Sequence, residues 1–470
     1  MKFPRSLAIF MLATFSLPAM ALNFGKIRAD EISVYVQDLD TGKVQIDYRS
    51  DVSVNPASTM KLVTAFAAFQ ALGKDYRWTT HFKSAAPVVG DTLNGDIYWE
   101  GSGDPVLDQD GLIALQQQLR DRGIRNIAGQ LVLDRSLWGD IRNSKEFAAD
   151  EAETYMTPPD PNRLAYKVVA VKGERNPLGD IVWTTNPPLP NIKLDNQTTI
   201  IPSAAECKSI NRYMSGRYSG GALIISGNVP ETCLSETLYV NMLTSQDFAY
   251  RSFINQWRAA GGTISDGLKV AATPPEAKTL ASLKSKPLSE ILADMNKFSN
   301  NLIARSVFLK LGQDKDLHEA LHRADSAVKL ELGMAGVDTT NLVLENGSGL
   351  SRKERVTAKM MGQLLEQAYF SRYKEEFINT LPIAGVDGTL KTRLKQAGDN
   401  LRLKTGTLKN VRALAGYWLG EQPKVVVVVI NSPNSDAYVK DMDRLVSEIV
   451  LPGGKSWVAL GTTCEARQDV

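Results

Sequence analysis

Between Ala57 and Gly73 this chain carries one charged residue, Lys61. Leu62, Ala65, Phe66, Phe69 and Leu72 recur at helical spacing, and Met60, Val63 and Ala67 fill the other faces. A helix that is apolar all round has no face to give to water, so it is expected at the centre of a packed domain. Lys61 goes inside with it. Ser58 lies one helical turn earlier, on the same side as Lys61. Desolvation disfavours the ammonium form, which leaves the buried amine available as a base. A serine beside such an amine is one route to a nucleophile that needs no histidine.

The two ends of the chain supply strands to cover that helix. Ile32–Val36 and Lys43–Tyr48 alternate across Asp40-Thr41-Gly42 and read as a β-hairpin. Leu401–Thr405, Ala413–Leu419 and Lys424–Ile430 read as three antiparallel strands, and Tyr438–Val450 as a closing helix. Strands at both ends with helices between predict an α+β domain, an antiparallel sheet flanked by helices that draws on both termini. The middle differs. Short β-like runs such as Leu131–Leu133, Ile181–Thr184 and Ala222–Ile225 are separated by Pro158-Pro159-Asp160-Pro161 and Pro187-Pro188-Leu189-Pro190. The expected organisation is a signal peptide at 1–21, a first catalytic part at 22–82, a large, mostly β insertion at 83–284, possessing one or two subdomains, a second catalytic part at 285–455 and a tail at 456–470.

Lys2 and Arg5, then the apolar stretch Leu7–Leu17, then Ala19-Met20-Ala21 form a secretory leader, with cleavage expected after Ala21. The apolar stretch is too short for a spanning helix, and no later stretch is long enough. In an exported chain Cys207 and Cys233 could close a loop as a disulfide or stand as two thiols, and Cys464 is left over in the tail. The net charge is +2, from 54 basic and 52 acidic residues, and gives no reason to expect a nucleic-acid partner.

Ser-x-x-Lys occurs at Ser58, at Ser326 with Lys329 and at Ser371 with Lys374. Only the first lacks charged neighbours; the other lysines sit among Arg323, Asp325 and Glu331, or Arg372, Glu375 and Glu376, and are expected in water. The start of a helix also adds a positive potential that favours an alkoxide at Ser58. Two further motifs join it: Ser299-Asn300-Asn301 between helical patterns, and Lys404-Thr405-Gly406-Thr407 on a strand. Lys404 would present an ammonium to a substrate carboxylate, and Gly406 would leave room for a substrate backbone at the strand edge.

Ser-x-x-Lys, Ser-x-Asn and Lys-Thr-Gly in this order are the motifs of active-site-serine penicillin-binding proteins and β-lactamases. The long stretch from Ser58 to Ser299, with Gly101–Pro105, Asn346–Arg352, Leu381–Leu390 and Leu403–Tyr417, resembles the class C low-molecular-mass penicillin-binding proteins, the D-alanyl-D-alanine carboxypeptidase/endopeptidase family. The resemblance implies that Ser58 attacks a D-Ala-D-Ala carbonyl, Lys61 takes its proton and Ser299 relays a proton to the leaving amine. Asn301 would hold the substrate amide, Lys404 and Thr405 the terminal carboxylate, and Arg352 a carboxylate on the peptide stem. The N–H groups of Ser58 and Thr407 would form an oxyanion hole. The same resemblance implies a periplasmic enzyme without metal or organic cofactor. Its partners would be peptidoglycan peptides and, as covalent inhibitors, β-lactam antibiotics. The resemblance is also compatible with a homodimer, and the lack of a strong amphipathic helix after Pro452 predicts at most loose membrane attachment.

Three other readings compete. A class A β-lactamase needs a deacylating glutamate, and no Glu-x-x-Leu-Asn follows Lys61. His318-Glu319-Ala320-Leu321-His322 matches a zinc-peptidase motif, but its polar flanks read as a solvated helix face. An inactive wall-binding scaffold would keep the fold without turnover.

Overall fold

The computed structural model describes residues 22–138, 141–150, 154–314 and 316–451. The leader, the expected tail and Cys464 lie outside these residues. The catalytic sheet runs in the order Leu401–Leu408, Val411–Trp418, Lys424–Asn431, Ile32–Asp38, Val44–Tyr48. Every neighbouring pair is antiparallel, with Val34 opposite both Val428 and Tyr48. The unbroken apolar run Val425–Ile430 is what a strand buried on both faces requires. Val425, Val427 and Val429 face one core, and Val426, Val428 and Ile430 face the other. Full burial of each such side chain is worth roughly 1.5–3 kcal/mol.

The first core holds the helices Met60–Leu72, Leu288–Lys297, Asn301–Leu311, Leu317–Met334 and Ala358–Phe370. The second holds Val439–Val450, which sets Met442, Leu445, Val446 and Ile449 against the sheet. From Met60 to Phe69 every residue of the first helix is buried, and Gly73 ends it at φ +80° with its N–H on Phe69 O. The site-bearing helix is therefore gripped from all sides, as its composition demands.

A separate core fills the middle of the chain, built on Phe82, Trp99, Leu131, Leu133, Phe253 and Trp257 among others. Its largest sheet pairs Thr79–Ser84 with Lys278–Lys284. The neck closes where Trp78 N donates to Ser285 Oγ and Ser285 N to Trp78 O, at 3.0 and 2.9 Å. The strand Thr79–Ser84 spans position 82 and follows directly on Trp78 at this neck. The insertion is β-rich but also contains the helices Gln109–Asp121 and Ser245–Ala259. Both carry signals that a Pro/Gly-punctuated reading passes over: Asp108 and Thr244 cap them, and Leu112, Leu115 and Leu119 recur on one buried face. Cys207 and Cys233 are joined by a disulfide.

The competing lysines lie in other settings. Lys329 pairs with Asp325 at 2.9 Å, and Lys374 sits 3.7 Å from the Tyr369 ring centroid. His318 and Glu319 are exposed on the Leu317–Met334 helix, as is His322. Among the described residues no cluster of three His, Cys, Asp or Glu is placed to hold a metal, and no helix is long and apolar enough to cross a membrane.

Candidate active site

Ser58 sits in a single 3-10 turn, Ala57–Thr59, that leads into the buried helix. The turn is pinned from several directions. Ala57, at φ +46°, donates its N–H to Asn55 Oδ1, and Asn55 Nδ2 donates to Ser351 O, both at 2.9 Å. Asn55 also exchanges two backbone-to-side-chain bonds with Asn431, at the end of a central strand. A non-glycine residue at positive φ is held only where its surroundings over-determine it. Gly349, at φ +82°, presses on the turn so closely that a Cβ there would lie 1.9 Å from Ala57 O and 2.7 Å from Ser58 N.

Lys61 is fully buried. Its Nζ lies 3.0 Å from Ser58 Oγ and 2.7 Å from Asn301 Oδ1, and it also bonds Ser348 O. Burial pushes the amine down to about 7, with Glu354 pulling the other way. Nζ donates to all three oxygens; once the amine has lost a proton, two N–H groups can keep the two carbonyl oxygens while the lone pair faces Ser58 Oγ. Asn301 Nδ2 donates to Tyr155 O at 3.3 Å, which fixes the amide with its oxygen towards the lysine.

Ser299, at φ +56°, occupies the break between Leu288–Lys297 and Asn301–Leu311. Its Oγ accepts from Lys404 Nζ at 2.9 Å, and the same nitrogen reaches Thr405 O at 2.7 Å. Burial, then the neighbouring Lys61, holds Lys404 well below the ordinary lysine range. Asn300 caps the following helix by accepting from Ile303 N, and donates its Nδ2 to Tyr166 Oη at 2.7 Å.

Leu401–Leu408 is an edge strand. Leu403 N–H points outward to Pro382 O, so strand alternation sends the N–H groups of Thr405 and Thr407 the same way, beyond that contact. Thr405 Oγ1 is held by Thr389 Oγ1 at 2.7 Å, and Thr407 is exposed. Gly406 differs from expectation. The space above it is occupied by the chain itself: a Cβ there would meet Pro56 O at 2.8 Å and Ala57 Cβ at 3.3 Å. Its lack of a side chain lets the Ser58 turn lie on the strand.

The structure thus brings Ser58, Lys61, Ser299, Asn301, Lys404, Thr405, Gly406 and Thr407 together. Arg352 stands apart from the lysine network. Its Nη1 donates to Lys409 O at 2.9 Å at the hairpin tip, and its guanidinium lies 5.4 Å from the Phe147 ring centroid. A cleft of about 650 Å³ opens beside Ser299 and Asn301, lined also by Asp108, Tyr155, Tyr166 and Phe298. Residues that sequence reasoning passed over are Asn55, Tyr166 and Glu354. Only Asn55 had a local signal, its Asn-Pro step ahead of a helix.

This fold and site define a serine penicillin-recognising DD-peptidase. Residues 14–449 match the D-Ala-D-Ala carboxypeptidase 3 (S13) family, and the chain belongs to that family, a family of serine-type hydrolases. A D-alanyl-D-alanine carboxypeptidase of Actinomadura sp. (strain R39) is 29% identical over 86% of this chain and 78% of its own. The D-alanyl-D-alanine carboxypeptidase DacB of Haemophilus influenzae is 28% identical over 90% of this chain and 91% of its own. The crystal structure of penicillin binding protein 4 (dacB) from Haemophilus influenzae superposes with TM-score 0.68 at 25% identity, covering 89% of this chain and 96% of that one. The same protein complexed with a β-lactam superposes with TM-score 0.66 at 25% identity, again over 89% and 96%.

Proposed function

We propose that Ser58 is the acylated nucleophile of a DD-peptidase that cleaves D-Ala-D-Ala termini of peptidoglycan stem peptides and D-alanyl cross-links. The observation that carries this reading is the Lys61 amine, buried and bonded to both Ser58 Oγ and Asn301 Oδ1. Ser58 Oγ attacks the carbonyl carbon of the penultimate D-alanine as its proton passes to Lys61 Nζ. The carbonyl oxygen gathers charge between the N–H groups of Ser58 and Thr407, each such donor being worth about 3 kcal/mol. The C–N bond then breaks, and the leaving amine takes a proton by way of Ser299. Asn301 holds the substrate amide, Lys404 and Thr405 the terminal carboxylate, and Gly406 keeps the turn and strand in contact. Water hydrolyses the ester and restores Ser58. β-Lactams present the same carbonyl and form an ester on the same oxygen.

Arg352 meets a carboxylate of the peptide stem in this reading. The basic leader and the cell-wall relatives support export to the periplasm. Loose membrane attachment at most, and self-association, belong to the same reading.

The test is intact mass after incubation with benzylpenicillin, on wild type and Ser58→Ala. A stoichiometric adduct on wild type alone is expected. No adduct on either overturns the nucleophile and favours a scaffold that binds wall polymer without turnover.

A further inference from the structure

Glu354 lies in the charged stretch Arg352-Lys353-Glu354-Arg355, yet its side chain is fully buried. Its Oε1 accepts from the backbone N–H groups of Glu345, Asn346 and Gly347 at 3.2, 3.0 and 2.9 Å. Its Oε2 accepts from Gly349 N at 2.8 Å. All four partners are donors, an arrangement that suits the carboxylate and offers a carboxyl proton nothing to bind.

The loop that these bonds gather is the one that touches the nucleophile and its base. Gly347 O accepts from Thr64 Oγ1 at 2.6 Å, and Ser348 O accepts from Lys61 Nζ. Gly349 lies against Ala57 O and Ser58 N. One carboxylate therefore sits behind the contacts to the Ser58 backbone and to the Lys61 amine.

Resting on the function proposed above, we propose that Glu354 is a positioning residue for acyl transfer. It fixes the Glu345–Gly349 loop against Ser58 and Lys61, and it supplies the buried negative charge that balances the proton Lys61 takes from Ser58.

The charges around the pair agree with this role. The Met60–Leu72 helix contributes Lys61, and the Asn301–Leu311 helix contributes Arg305, buried and bonded to Asn143 Oδ1 at 2.8 Å. Burial pushes Arg305 down to about 10 against the pull of Glu345 and Glu354. Lys404 approaches from the edge strand beside Lys61. Glu345 bonds Ser351 Oγ and faces Lys353 at 3.5 Å. Among these groups Glu354 is the fully buried acid. Burial raises its carboxyl above the ordinary range, and the four N–H groups oppose that rise in part.

The test is the rate of Ser58 acylation by benzylpenicillin from pH 5 to 9, on the full chain and on E354Q and E354D, with Tm measured for each. Acylation needs Lys61 neutral, so the rate climbs with pH through the titration of that amine. Removing the anion makes the ammonium less favourable. In E354Q the climb moves to lower pH by about one unit, and the plateau falls about tenfold or more as the loop shifts. E354D keeps the charge and gives up reach, so its climb stays at the wild-type pH with a lower plateau. A fall in E354Q at every pH without movement of the climb marks a structural glutamate and overturns the proposal. So does a climb that moves as far in E354D as in E354Q, or collapse of both folds. A wild-type chain that takes no adduct sinks the assigned nucleophile instead, which separates the two failures.

Discussion

Asn300 Nδ2 donates to Tyr166 Oη at 2.7 Å, joining the middle residue of the Ser-x-Asn motif to the inserted layer. The bond is backed on both sides. Asn300 Oδ1 caps the helix that begins with Asn301, and the Tyr166 ring lies 4.0 Å below the buried guanidinium of Arg163. Ala165, Tyr166 and Lys167 hold φ values of +40°, +54° and +48°, three successive residues in a region that costs energy without glycine. Strain of that kind persists where the surroundings impose it. Here it aims a ring from the insertion at the residue next to Ser299.

Tyr166→Phe keeps the ring under Arg163 and deletes the acceptor. A single hydrogen bond of about 1 kcal/mol converts to a three- to tenfold loss. The expected result is acylation by benzylpenicillin slowed by that factor with Tm nearly unchanged. Tyr166→Ala, which also removes the stacking, is expected to lose more of both. Wild-type acylation in the Phe variant would show that the insertion does not bear on the motif.

Lys61→Met tests the base and its burial together. Loss of a general base lowers acylation by roughly 10²–10⁴-fold. Stability should respond to pH with a definite sign. Folding takes the amine from its ordinary 10.5 down to about 7, so the unfolded chain binds the proton more tightly between those values. The cost of burying Lys61 is full below about pH 7 and fades as pH rises towards 10.5. The Tm of the Met variant minus that of wild type is therefore expected to fall from pH 7 to pH 10. Because Asn301 Oδ1 and Ser348 O lose a donor in the variant, the slope carries the test rather than the offset. A difference that stays flat with pH would mean Lys61 is not depressed.

Where sequence pattern matched structure, the physics was local or nearly so. The run Val425–Ile430 has no polar residue to offer water, and it became a strand with a core on each face. Lys61 was legible because it belongs to an apolar helical run, Met60–Phe69, that is buried throughout. What escaped was set by partners distant in the chain. Gly406 looks like a gap left for substrate until Pro56 and Ala57 are seen lying on it. Glu354 looks solvated because its neighbours are charged, and only the folded loop turns four N–H groups towards it. Tyr166 has no motif around it, since its meaning depends on how the insertion docks against Asn300. The helices at Gln109 and Ser245 escaped although each carries a cap, because they lie between strand-like runs and prolines.

Gly349→Ala asks for a side chain where none fits. The added carbon would lie 1.9 Å from Ala57 O in a backbone at φ +82°. Either the loop or the Ser58 turn must move, and a shift near 1 Å at reacting groups costs on the order of 100-fold in rate. Acylation is expected to fall by about that much, with a lower Tm. Gly333→Ala is the control. It sits in the Leu317–Met334 helix with open space around its Cα, and alanine there is expected to raise stability by up to about 1 kcal/mol. Near-normal acylation in the Gly349 variant would mean the turn tolerates displacement.

Arg352 is the residue whose proposed role depends most on substrate chemistry. It is anchored to the hairpin tip through Lys409 O, apart from the bonds that join Lys61, Ser58 and Asn301. A side chain so placed has no part in proton transfer, so its removal is expected to raise KM and leave kcat largely as it was. The guanidinium is suited to a planar carboxylate, and the effect should follow that group. With stem peptides that carry a free side-chain carboxylate, Arg352→Ala is expected to raise KM several-fold. With the amidated peptides, wild type and variant should converge, because neither has a carboxylate to bind. Equal losses on both substrates would instead assign Arg352 to holding the Lys409 turn, and would remove it from substrate recognition.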